Sequence, residues 1–171
     1  MRERARAYST TLRRATLAAI EHGAKEGAAV YSATAVEDAG GIVMVYCTDV
    51  DGNSNAGMVA DVLLELDEWR AAGVVVNVVG GSLYTLTPII LSLQVRVGVD
   101  TQALVAAVKT AIVARLDRLK IGETAYRSAI QAAALNVNVN ILGCTVTTPA
   151  ADVVPGDQQM IRTTAGDIQV S

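Results

Sequence analysis

The stretch that decides the fold is residues 70–100, RAAGVVVNVVGGSLYTLTPIILSLQVRVGVD, which leads through a long amphipathic segment into LKIGETAYRSAIQAAA at 119–134. Val74 to Val79 is an apolar run with a single Asn, which predicts a strand covered on both faces. Gly80-Gly81-Ser82 then starts a turn. Beyond it, Leu91, Leu93, Val95 and Val97 alternate with Ser92, Gln94 and Arg96, the period-two signature of a strand with one buried face. Asp100 or Thr101 is placed to cap a helix in which Leu104, Val108, Ile112, Leu116 and Leu119 recur at helical spacing.

Working outward, Ile42 to Cys47 (IVMVYC) predicts another apolar strand after a turn at residues 38–41. Ser54 or Asn55 can cap the helix that follows, in which Val59, Val62, Leu63 and Leu66 share a face and which Gly73 ends. Glu123 to Leu135 is expected to be a further helix. Val137, Val139 and Ile141, alternating with Asn136, Asn138 and Asn140, predict a fourth strand. The order strand, helix, strand, strand, helix pair, strand is that of a ferredoxin-like βαββαβ unit, an α+β fold with both helices on one face of one sheet. In such a sheet the strand at 42–47 and the strand at 89–97 are neighbours. The expected organisation is an N-terminal helical segment over 1–40, a core domain over 41–148, and an irregular segment over 149–171. In that last segment Met160 to Thr163 and Ile168 to Val170 could form a hairpin.

These elements resemble the C-terminal half of the baseplate J-like family, wedge proteins of contractile phage tails and related injection machines. The resemblance is carried by the Arg-X-X-Gly-Val step at Arg70 to Val74, the paired strands across Thr85 to Val97, the Leu-X-Ile-Gly helix end at Leu119 to Gly122, and the helix start near Tyr126 and Ser128. It spans roughly residues 40–171. It implies a structural virion protein with no catalytic activity and no cofactor, assembled in the host cytoplasm into a tail baseplate. Other wedge and hub proteins and copies of itself would be its partners. Residues 1–40 match the family pattern least.

Composition agrees with an assembly role. The 171-residue chain is 51% hydrophobic and only 18% charged, with mean hydropathy +0.36, yet Asn77, Ser82, Gln94 and Arg96 break its longest apolar run before the ~18 residues a membrane span requires. The surplus of apolar side chains therefore implies burial, part of it against partners. A net charge of -3 gives no general reason to bind nucleic acid or an acidic membrane. Arg2, Arg4, Arg6, Arg13 and Arg14 are the exception, and they are expected to form the solvated face of a first helix from about Arg4 to Ile20. No apolar segment of the secretory type follows them, so a cytoplasmic chain is expected. Both alternations of the strand at 42–47 are apolar, and helices on one side cover only one of them. Met44, Val45 and Tyr46, with Arg13 and Arg14, are accordingly the candidate interface residues.

One constellation points to catalysis. The apolar strand ending in Asp49-Val50-Asp51-Gly52 resembles the first motif of haloacid-dehalogenase-type phosphatases, in which Asp49 would attack phosphorus, Asp51 would act as general acid/base and magnesium would balance their charge. Asn53 stands where that family has Thr, and no adjacent acidic pair follows downstream. Asp49, Asp51, Asn53 and Asn55 also alternate as in a calcium loop, but Ser54 and Ala60 occupy the positions that need Gly and Glu. The alternative is a polar turn in which Asp and Asn side chains satisfy backbone donors. His22, the sole histidine, is expected to close a helix beside Gly23, and no metal site is expected. Cys47 and Cys144 are expected to be reduced, buried thiols.

Overall fold

The computed structural model describes residues 16–26 and 30–171 and divides into two compact units, residues 1–82 and 83–171. The architecture is mixed α+β, with four α-helices and three small sheets among the described residues.

In the first unit, helix α1 (Leu17–Glu26) precedes strands β1 (Ser32–Glu37) and β2 (Val43–Thr48), helix α2 (Ala56–Leu66) and strand β3 (Val76–Gly80). Strand β2 is central, antiparallel to β1 from Ser32↔Thr48 to Glu37↔Val43 and parallel to β3 from Val43↔Val76 to Cys47↔Gly80. This register sorts the side chains by face. Ala33, Ala35, Val43, Val45, Cys47 and Val76 are buried in one cluster with Ile20 and Ala24 of α1 and Met58, Val62 and Leu66 of α2. Thr34, Val36, Met44, Tyr46, Asn77 and Val79 share the opposite face.

Local chemistry sets the ends of these elements. The Thr16 hydroxyl accepts from the Ala19 amide at 3.1 Å, and the Asn55 side chain accepts from the Met58 amide at 2.9 Å, so each caps a helix start. Gly23 lies inside α1 rather than ending it. A Cβ there would sit 2.4 Å from Cγ of Trp69, so the glycine lets the indole pack on the helix backbone. The described helix starts at Leu17 and runs past the expected end at Ile20 to Glu26, while residues 4–15 of the expected first helix, with Arg13 and Arg14, lie outside the described residues.

The second unit holds β4 (Ser82–Thr85, starting at the boundary), β5 (Ile89–Val95), α3 (Thr101–Leu116), α4 (Arg127–Leu135), β6 (Ile141–Thr148), β7 (Gln159–Arg162) and β8 (Ile168–Val170). Strand β5 is flanked by β6, antiparallel, and β8, parallel, while β4 pairs with β7. Leu104, Val108, Ile112 and Leu116 form the buried stripe of α3 as their spacing predicts, and Asp100 caps that helix through the Gln102 and Ala103 amides. They pack with Ile89 and Leu91 of β5, Ile130 of α4, and Cys144 and Val146 of β6.

Four expectations are corrected. The strands at 42–47 and 89–97 are not neighbours: β2 and β5 belong to different sheets, so strand order does not produce one continuous four-stranded sheet. The core expected over 41–148 is accordingly two cores, because β1, from the supposed helical segment, completes the first sheet while β7 and β8, from the supposed appendage, complete the second unit. Strands β7 and β8 form no hairpin with each other, since each finds an earlier strand as partner. Residues 136–140 are turns, because the Asn138 side chain accepts from the Asn140 amide at 2.9 Å and competes with strand pairing, which starts only at Ile141.

Candidate functional site

The loop after β2 can be read atom by atom. The Asp49 carboxylate accepts from the Asp51 amide at 3.0 Å and the Asn53 amide at 2.8 Å, while the Asp49 amide donates to the Asn53 carbonyl at 2.8 Å. Gly52, at φ +86°, supplies the left-handed step that lets the chain turn back, and its amide donates to the Asp49 carbonyl. Ser54 donates to the Gly81 carbonyl at 3.2 Å and sits so close to Gly80 that no side chain fits there. The loop is therefore the polar turn that Asp and Asn form when they satisfy backbone donors, with one oxygen of the proposed nucleophile holding two of those bonds. Among the described residues, no group of three or more His, Cys, Asp or Glu side chains is placed to share a metal ion.

The interface candidates separate by register. Val45 is 0% exposed beneath the helices, which corrects its assignment as an interface residue: its side chain points into the first core. Met44 and Tyr46 are half-buried on the other face. Cross-strand pairing sets Val36 beside Met44 and Val79 beside Tyr46, giving an apolar stripe across three strands on the face opposite the described helices α1 and α2. Val36 escapes the sequence reading because β1 falls in the segment expected to be helical, and Val79 because its strand is apolar on both alternations, so only the register with β2 shows which face it takes. The weak alternation in SATAVE was the available signal.

Two arginines of the second unit also escaped. Arg162 is 8% exposed, and its guanidinium donates to the carbonyls of Leu116, Leu119 and Ile161 at 3.3, 3.0 and 2.8 Å, with Asp117 3.9 Å away. A cation thus closes the C-terminal end of α3, where the helix dipole favours it. Arg127 starts α4, and its guanidinium donates twice to the Val146 carbonyl and once to that of Ala150.

Cys47 and Cys144 are both free and buried, as expected, and burial raises the pKa of each thiol. His22 stacks edge-on against Trp69 at 5.3 Å and lies 3.5 Å from Glu26, a helix-surface arrangement. A cavity of about 290 Å³ in the second unit is lined by Leu93, Val95, Leu104, Val105 and Val170 with only Thr101 and Ser171 as polar neighbours, so it offers shape without a charged group.

No family model matches the chain, and no curated protein matches it either. No helix among the described residues is long and apolar enough to cross a membrane.

Proposed function

We propose that the chain works by protein–protein assembly, as a structural wedge component of a contractile-tail baseplate. The observation that carries the assembly reading is the stripe formed by Val36, Met44, Tyr46 and Val79, an apolar surface on the sheet face opposite the two described helices of its unit. Covering such a stripe removes apolar area from water at ~25 cal/mol per Å², which favours association. The assignment to a baseplate rests on the resemblance across residues 70–127. Other wedge and hub proteins are its expected partners, alongside copies of itself, with the assembled virion tail as its location.

The experiment is co-expression with the products of neighbouring genes, scored by light scattering. Genes for a sheath, a tube and a tail-tip spike beside this one, and a stable complex with any of their wedge partners, are expected. A strict monomer at high concentration that binds none of them would overturn the reading.

A ferredoxin-like dimeric binding module is the weaker alternative, because it rests on strand order while β2 and β5 pair in separate sheets. A magnesium-dependent phosphatase using Asp49 and Asp51 is weaker still, since the Asp49 carboxylate is engaged by two amides of its own loop. Magnesium-dependent turnover of a phosphomonoester that disappears in Asp49→Asn would replace the assembly reading with this one.

A further inference from the structure

We infer that copies of this chain associate head to tail, the outward face of α2 in one copy seating in the groove between α3 and α4 of the next. The contact is separate from the stripe on the first unit's sheet and goes beyond it. Helix α2 turns Met58, Val62 and Leu66 inward, which leaves Leu64 at the centre of its outer face. Leu64 is 71% exposed, more than any other leucine among the described residues, and Leu63 beside it is 48% exposed. Asp61 lies three residues before Leu64, Glu68 four residues after it, and Glu65 adjoins it, so carboxylates flank the exposed leucine. Asp67 is paired with Arg70 at 2.7 Å, while Asp61, Glu65 and Glu68 have no ion-pair partner among the described residues.

The groove is the counterpart. Ala111 and Ala114 of α3, Ala133 of α4 and Val137 just after it form an apolar surface whose small side chains let a helix approach closely. The groove holds about 320 Å³, and an apolar cavity of ~150 Å³ already admits benzene, so there is room for a leucyl side chain. Arg115 and Arg118 line the same groove, both exposed and without an ion-pair partner among the described residues. Asp117 between them is engaged by Arg162 at 3.9 Å. Each surface thus supplies what the other lacks, leucines flanked by free carboxylates on one and an alanine floor beside free guanidinium groups on the other. Charge also selects a second copy as the occupant. Residues 1–82 carry eleven carboxylates against seven basic side chains and residues 83–171 carry six against seven, so unlike units attract while two first units repel. Because the two surfaces differ, the contact is heterologous and continues from copy to copy into a ring or a row.

The test is the solution mass of the full chain by light scattering over a range of concentrations, with circular dichroism to verify folding. It is run in a Met44→Lys background, so that failure of the stripe and failure of this contact are read separately. The background chain is expected at least to double its mass as concentration rises. Asp61→Arg with Glu68→Arg, and separately Arg115→Glu with Arg118→Glu, are each expected to stay monomeric, because like charges then face each other. An equimolar mixture of these two chains is expected at least to double the mass again, since each reversed surface meets its complement on the other chain. Leu64→Ser changes an exposed position and is expected to move association to roughly tenfold higher concentration, and it decides the matter if a charge-reversed chain fails to fold. A background chain that stays monomeric, folded variants that keep its mass, or a mixture no heavier than its components would overturn the inference.

Discussion

Arg162 carries a charge into the second core, and three backbone carbonyls with a nearby carboxylate offset the desolvation. Replacing it with Met keeps much of the volume but leaves the carbonyls at the end of α3 without this donor. Each orphaned carbonyl costs about 1–3 kcal/mol, partly offset by the removed charge, so a loss of about 2 kcal/mol is expected in urea unfolding. An unchanged midpoint would show that the contacts contribute nothing net. The thiols give a second check at this scale. Burial raises both pKa values, so above the ordinary thiol value of 9.0 the unfolded chain releases protons that the folded chain retains. Stability is expected to be complete below that value and to fall as pH rises toward the raised folded values. Both thiols should resist a disulfide reagent until denaturant is added.

Among the elements, α1 depends on a glycine at a position where helix propensity disfavours one. Ala at Gly23 gains up to about 1 kcal/mol of propensity, but the added methyl meets the indole of Trp69, and overpacking costs about 1–3 kcal/mol. A net loss near 1 kcal/mol is expected, with altered emission from the single tryptophan. Helices α2 and α3 give a contrast. Ile112 is fully buried, and truncation to Ala is expected to cost about 2–5 kcal/mol, while Leu63, which periodicity placed on the buried face, is instead 48% exposed and should lose less than about 1 kcal/mol. The face of α2 is set by Met58, Val62 and Leu66, so the apolar stretch around Leu63 and Leu64 overstated how much of the helix is covered. Equal midpoints for the two variants would contradict this assignment.

For the molecule as a whole, two adjacent residues of β2 answer different questions. Val45→Lys places an unpaired ammonium in the first core and is expected to unfold that unit, at a cost of several kcal/mol. Met44→Lys can extend its charge to water along its aliphatic stem, so a folding cost below about 1 kcal/mol is expected together with weaker association. Melting curves and light scattering on the two variants separate folding from assembly. If Met44→Lys leaves association intact, the stripe on this face is not the contact.

Sequence alone determined the features that local chemistry controls. The buried stripe of α3 and its Asp100 cap, the alternation of β5, the start of α2 at Asn55 and the polar nature of the turn after Asp49 are all set by residues within a few positions of one another. Tertiary structure decided which strands pair, because a strand specifies the period of its side chains and not the identity of its neighbour. β1 and β3 therefore enclose β2 in one sheet, while β6 and β8 flank β5 in another. It also decided which of Met44 and Val45 faces out, since both alternations of that strand are apolar and only the helices packed on one side distinguish them.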